Sequence, residues 1–189
     1  MVEGAEVLAV AQPHWERVAV VGTSGAGKTT FAQALAERLG APYVELDALH
    51  WGPAWTKAPL DAFRARVDAT TLESRWVCEG NYSTVRDLVW ERATALVWLD
   101  YSFPLVFSRA VQRTARRIWT REPLFAGNRE SLRNALDPEW IPWWVLRTFW
   151  RRRREWPRLL ERSEYQHLRV LRLRRPSEAE QLLRDLAVG

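Results

Sequence analysis

Short apolar runs alternate with longer amphipathic stretches from residue 17 onward. Val18-Ala-Val-Val21 places four apolar residues in succession, the pattern of a parallel strand buried on both faces. Phe31, Leu35 and Leu39 then recur at i, i+4 and i+8, which is the core face of a helix over about 28–39. Gly40 stands where a helix stop is expected. The alternation repeats. Pro42-Tyr-Val-Glu-Leu46, Arg75-Trp-Val-Cys78 and Thr94-Ala-Leu-Val-Trp-Leu99 predict strands. Helices are predicted over about 59–72, from about Ser83, and from Pro104 to about Trp119. A long helix over about 143–162, an alternating strand His167–Leu173 and a helix opening at Pro176-Ser177 complete the series. Strands alternating with helices imply a parallel α/β sheet with right-handed crossovers.

Two stretches break the pattern. Residues 1–14 hold apolar residues and Pro13 and are expected to form a loose or edge segment. Residues 120–142 are polar and broken by Pro123, Gly127, Pro138 and Pro142, so they read as an excursion, a lid inserted between two helices. No repeat or interdomain linker is evident, and 189 residues suffice for one full core, so a single domain over 1–189 is expected.

Composition narrows the function classes. No run of about 18 apolar residues exists, so no membrane partner is expected. No basic segment followed by a long apolar core opens the chain, so no signal peptide is expected. The single cysteine, Cys78, cannot form an internal disulfide and sits in the apolar run Trp76-Val-Cys78, which fits an inert core thiol and a cytoplasmic setting. The net charge is +5, and of 28 basic residues only Lys28 and Lys57 are lysine. Such a surface suits anionic ligands, nucleotides or nucleic acid.

The candidate chemistry starts at Gly22-Thr-Ser-Gly-Ala-Gly-Lys28-Thr29, a complete G-x-x-x-x-G-K-[ST] phosphate-binding loop placed between strand and helix. Phosphate oxygens need backbone N–H donors at short range, and glycine lets the chain wrap them without Cβ clashes. The helix behind aims its positive end at the same anion. Lys28 supplies an ammonium for the β- and γ-phosphates, and the Thr29 hydroxyl is placed to bind Mg²⁺. Gly22, Thr23, Ser24, Gly25, Ala26, Gly27, Lys28, Thr29 and Thr30 are therefore the candidate ATP-binding set.

Farther along, Arg109, Arg113, Arg116 and Arg117 fall on one helix face, where like charges repel unless an anion lies opposite. The stripe therefore faces a bound anion, or else it is a solvated or nucleic-acid-facing surface. Trp140, Trp143, Trp144, Trp150 and Trp156 recur at helical spacing around Arg151-Arg-Arg-Arg154. They read as an aromatic seam covered by arginine stems, or as interleaving for single-stranded nucleic acid. His50, Trp51 and Trp55 are candidate walls of an acceptor pocket. No His/Cys cluster has zinc spacing.

With the phosphate loop near the N-terminus, Leu46-Asp-Ala-Leu-His-Trp51 with Pro53 and Trp55, Glu79-Gly-Asn-Tyr82, Leu99-Asp-Tyr101 with Pro104, and Gly127-Asn-Arg-Glu130 resemble the adenylate-kinase-like "DNA topology modulation" proteins. The resemblance covers about 17–185. It implies a P-loop NTPase of nucleoside monophosphate kinase type, with a five-stranded parallel sheet in the order 2-3-1-4-5, flanking helices and a mobile lid. It assigns Asp47, at the end of strand 2, to the acceptor. That carboxylate would take the proton of an acceptor hydroxyl or hold a Mg²⁺-bound water. Nucleoside monophosphate kinases need no base, so an acid here tilts the acceptor toward an alcohol. Glu79 takes the acidic position that orders the Mg²⁺ shell, Gly80 and Arg86 those that approach and grip the acceptor, Arg113 and Arg117 those that close over the phosphoryl group, and Arg109 and Arg174 those beside the nucleotide. The reading is a Mg-ATP-dependent phosphotransferase acting on a nucleotide, nucleoside or other small molecule. The alternative is a P-loop ATPase that binds nucleic acid. A GTPase switch is disfavoured because no Asn-Lys-x-Asp motif occurs.

Overall fold

The computed structural model describes residues 15–130 and 141–186. The expectation for residues 1–14 lies outside the described residues, as do Arg133, Pro138 and Trp140 of the excursion. In chain order the elements are β1 (Arg17–Gly22), α1 (Lys28–Leu39), β2 (Tyr43–Glu45), α2 (Leu46–His50), α3 (Leu60–Thr71), β3 (Trp76–Glu79), α4 (Arg86–Trp90), β4 (Ala95–Leu99), α5 (Phe103–Thr120), α6 (Ile141–Leu160), β5 (Arg169–Leu173) and α7 (Pro176–Asp185). The sheet is five-stranded and parallel in the order β2-β3-β1-β4-β5, flanked by helices, as expected.

The unbroken apolar run of β1 follows from its central place. Val18 and Val20 enter a core with α1, α5 and α7, while Ala19 and Val21 enter a second core with α3 and α4 on the other face. Edge strand β5 alternates half-buried and exposed residues. Trp76 is fully buried, and its indole N–H donates to the Thr71 carbonyl at 3.2 Å, so the ring contributes its apolar area without an orphaned donor. Gly40 caps α1 in the left-handed region at φ 57°.

Two elements depart from the sequence pattern. Asp47 does not end β2. That strand stops at Glu45, and Leu46, 2 % exposed, drives the chain into the short α2, with Asp47 in its first turn. The long helix already runs at Ile141 and Pro142, so the excursion is shorter than its proline pattern suggests.

α6 lies across both cores. Val145 and Phe149 pack into the first and Trp156 into the second, edge-on to Trp98 at 5.3 Å. Its position is held by Asp100, buried just past β4. Asp100 receives Arg153 of α6 at 2.8 Å and Arg172 of β5 at 2.6 Å, and Arg172 also lies over the Trp98 ring at 4.2 Å. One carboxylate thus ties β4, β5 and α6 together.

Candidate active site

The carboxyl ends of the parallel strands open into a cleft of about 1280 Å³. Its floor is the loop between β1 and α1. Gly27 has φ 87°, and a Cβ there would meet nothing within 4 Å, so the loop presents open backbone to the cleft. Gly25 has φ 89°, and a Cβ there would strike the Val106 carbonyl of α5. Asn81 pins the start of the loop: its amide donates to the Gly22 carbonyl at 2.5 Å and its oxygen accepts the Gly22 N–H at 3.3 Å.

Beside the loop stand three carboxylates, Glu45 and Glu79 at strand ends and Asp47 in the first turn of α2. The Thr29 hydroxyl donates to Glu79 Oε1 at 2.9 Å, and the Tyr43 hydroxyl approaches the same oxygen at 3.5 Å. Glu45 is the register partner of Glu79 on the neighbouring strand. Burial, then Glu79 and Asp47, push the Glu45 carboxyl up to about 7. Burial also raises Glu79, against the pull of Lys28. Lys28 is lowered by desolvation, opposed by Glu79 and Asp47. Asp47 Oδ1 accepts a 2.6 Å hydrogen bond from Tyr82, whose hydroxyl is pushed up first by burial and then by that carboxylate.

The opposite wall is α5. Arg109, Arg113, Arg116 and Arg117 all line the cleft, as their spacing requires. Arg113 is lowered by burial, and its Nε has no hydrogen-bond partner. Arg116 and Arg117 pair with Glu122 and Glu130 at 3.1 Å each. Two of the four thus have an anionic partner within the chain, because the segment after α5 supplies its own counter-charges.

That segment, 121–130, docks on the turn after α2. Asn128, 6 % exposed, donates to the Gly52 carbonyl at 2.8 Å and accepts the Trp55 N–H at 2.9 Å. The Trp55 indole donates to the Arg129 carbonyl at 3.3 Å. Both partners are tight turns, with Ala54, Trp55, Ala126 and Gly127 at positive φ.

Most of the residues singled out in the sequence converge on this cleft. Ser24 through Thr30, Asp47, Trp51, Glu79 and the four arginines of α5 line it. Gly22 and Thr23 are buried beneath it. Gly80 and Arg86 are not brought there. They face a separate space of about 10 Å³ with Leu46, Tyr82 and Trp156. A Cβ on Gly80 would stand 2.7 Å from that of Leu46, so the glycine admits a core side chain rather than an acceptor. Arg86 instead lies over the Trp90 ring at 5.1 Å. Arg174 is exposed beyond the far end, where Pro176, Ala179 and Leu183 line the cleft. Sequence reasoning missed Glu45, Asn81, Tyr82 and Asn128. Asn81, Tyr82 and Asn128 lie inside motifs already quoted, so the signal was present without a role.

Residues 18–77 match the ATPase family associated with various cellular activities (AAA), a span that carries the phosphate loop. Among solved structures, a shikimate kinase from Acinetobacter baumannii in complex with shikimate is similar over 92 % of this chain and 92 % of its own, at 18 % identity and a TM-score of 0.54. A shikimate kinase from Bacteroides thetaiotaomicron is similar over 90 % and 96 %, at 15 % identity and the same TM-score of 0.54. At such identities the likeness is one of fold, a P-loop NTPase fold shared with small-molecule kinases. None of these matches is to a DNA topology modulation protein. No curated protein matches the sequence. Among the described residues no helix is long and apolar enough to cross a membrane.

Proposed function

We propose that this chain is a cytoplasmic, Mg²⁺-dependent, ATP-using phosphotransferase of the adenylate-kinase-like group, acting on a small acceptor through a hydroxyl group. The observation that carries this reading is the facing of opposite chemistries across one cleft. A carboxylate hydrogen-bonded to Tyr82 stands on one side of Lys28, and the arginines of α5 stand on the other. Phosphoryl transfer asks chiefly for such positioning and charge neutralisation.

In this reading the loop backbone and Lys28 cradle the phosphates of ATP. Arg113 and Arg117 stabilise charge on the transferring group, an effect worth ~10³–10⁵ in rate for an arginine so placed. Asp47 orients the acceptor hydroxyl and accepts its proton, with Tyr82 fixing the carboxylate. Residues 121–130 act as a lid over the acceptor turn.

Thr29 and Glu79 are the residues that would hold Mg²⁺, Glu79 through water. Their side chains already meet, and no group of three potential ligands occurs among the described residues. That donor set fits an ion which takes one or two protein oxygens and completes its shell with phosphate and water. The ion would neutralise charge on the β- and γ-phosphates.

A coupled ADP-release screen over nucleosides, nucleotides and small alcohols tests the reading. Lys28→Ala should lower turnover by at least ~10²–10³ with the fold intact. Asp47→Asn should lower it by ~10²–10⁴ with ATP affinity unchanged. Normal turnover in Lys28→Ala would sink the phosphotransferase. A loss under about fivefold in Asp47→Asn would point to an acceptor that needs no base.

A second reading, nucleic-acid binding of the kind the DNA topology modulation resemblance suggests, draws on the outer face of α6. Trp143 and Trp150 are 49 % and 53 % exposed there, amid the exposed Arg147, Arg151 and Arg154. Binding to single-stranded DNA that falls steeply with salt would support it.

A further inference from the structure

The motif Gly127-Asn-Arg-Glu130 ends on a residue that the proposed chemistry leaves without a part. Glu130 lines the cleft with Arg113 and Arg117. Its Oε1 accepts a hydrogen bond from Arg117 Nη1 at 3.1 Å, and the two side chains are only 11 % and 21 % exposed. The neighbouring pair, Arg116 with Glu122, has the same length but is largely open to solvent, which screens it. The backbone before Glu130 is built into a compact turn. The Leu124 N–H donates to the Asn128 carbonyl at 2.7 Å, and the Gly127 N–H donates to the Leu124 carbonyl at 2.8 Å. The Asn128 side chain and the Arg129 carbonyl then fix that turn to Gly52 and Trp55. The charge of Glu130 also reaches Arg113. Burial lowers that guanidinium, Arg117 adds to the lowering, and Glu130, Asp47 and Glu79 oppose it.

Two roles compete for a carboxylate so placed. A counter-ion standing in for phosphate would lie open to the cleft and leave when phosphate arrives. Glu130 is more withdrawn than the arginine it meets, its Oε2 is buried, and its backbone is anchored through the residues before it. That placing suits a brace. A guanidinium carries five donors in a planar fork. The contact with Glu130 engages Nη1, and Nε has no hydrogen-bond partner among the described residues, so donors stay uncommitted. An unbraced arginine samples many rotamers, and ordering it beforehand removes that cost from the reacting state. We propose that Glu130 is a positioning residue for phosphoryl transfer. It holds Arg117 in the orientation that meets the transferring group, and through Asn128 and Arg129 it ties that orientation to the turn after α2. This rests on the phosphotransferase reading, in which Arg117 stabilises the phosphoryl charge.

The test reads binding of a mimic of the transferring group and so needs no named acceptor. Mg²⁺ and ADP are titrated alone and then with aluminium fluoride, a stand-in for the phosphoryl group, following tryptophan fluorescence. Arg117→Ala should weaken the aluminium fluoride complex by at least ~10²-fold and leave Mg-ADP affinity unchanged. Glu130→Gln, which keeps the size and removes the charge, should weaken the same complex roughly 10–100-fold, again sparing Mg-ADP. Adding Glu130→Gln to Arg117→Ala should cost nothing further, because the glutamate acts only through the arginine. Glu130→Asp keeps the charge and should lose less than the amide; it serves as the second variant if the amide does not fold. The inference is overturned if Glu130→Gln or Arg117→Ala binds the complex as wild type does. It is equally overturned if Glu130→Gln binds more tightly, which would make Glu130 a counter-ion that phosphate displaces. Equal losses for Mg-ADP alone, or a further loss in the double variant, would mark a general structural role and overturn it too. A wild-type protein that binds neither Mg-ADP nor the fluoride complex would instead overturn the phosphotransferase reading itself.

Discussion

Glu45 shows how far a residue's chemistry can depart from its sequence position. As one letter in Pro42-Tyr-Val-Glu-Leu46 it is an ordinary strand residue. Paired in register with Glu79 and near Asp47, it is a carboxyl raised to about 7 by burial and by its neighbours. The sign of the consequence follows. A carboxyl whose folded value lies above its unfolded value of 4.5 binds its proton more tightly in the native state. Its contribution to stability is therefore complete below about pH 4.5 and is lost as pH rises through about 7. With a chelator present, the unfolding midpoint of wild type should fall between about pH 5 and pH 8, and Glu45→Gln should flatten that fall. Parallel pH profiles for the two proteins would show that Glu45 is already ionised at low pH. The phosphate-loop residues were legible because their constraint is local: backbone at positive φ, then a helix start. The Glu45–Glu79 and Asp47–Tyr82 contacts join residues more than thirty positions apart, and only the sheet register creates them.

At the scale of elements, periodicity carried most of the information. α1 begins and ends at the residues its pattern predicts, and the arginine stripe of α5 emerges on one face because 3.6-residue periodicity leaves no other outcome. Short elements were not legible. α2 is five residues long and owes its existence to Leu46 burying itself beneath Gly80. Nor could composition reveal that the polar segment after α5 is anchored. Its anchor is a single buried side chain, Asn128, which satisfies one donor and one acceptor of the turn after α2. Asn128→Ala leaves both without their partner, a loss of about 1–3 kcal/mol. Amide exchange at Trp55 should then speed up roughly 5–150-fold, with β1 unaffected. Unchanged exchange at Trp55 would mean that the segment is held by Arg117–Glu130 and its other contacts instead.

Across the whole molecule, the alternation of strands and helices was enough to imply a parallel sheet, and the order of its strands followed from the resemblance rather than from the pattern. The placement of α6 was not legible, because Asp100, Arg153 and Arg172 look like unrelated surface charges along the chain. Asp100 is 4 % exposed and holds both arginines. Asp100→Ala should cost about 3 kcal/mol, the low end for breaking a buried pair, because both arginines can turn toward water. The midpoint of thermal unfolding should drop by roughly 6–12 °C. A drop under about 1 °C would show that apolar packing alone seats α6.

The same clamp bears on the order in which the protein is made. Arg172 belongs to β5, which follows α6 in the chain, so synthesis completes α6 before the second arm of the clamp exists. Until β5 arrives, β4 is an open edge of five buried residues with unpaired backbone groups, and a half-neutralised carboxylate stands beside it. Such an edge accepts a strand from any chain that offers one. A nascent or prematurely ended copy would carry the entire phosphate loop and yet be the form most apt to join a neighbour. β5 thus protects β4 from its own siblings as well as extending the sheet.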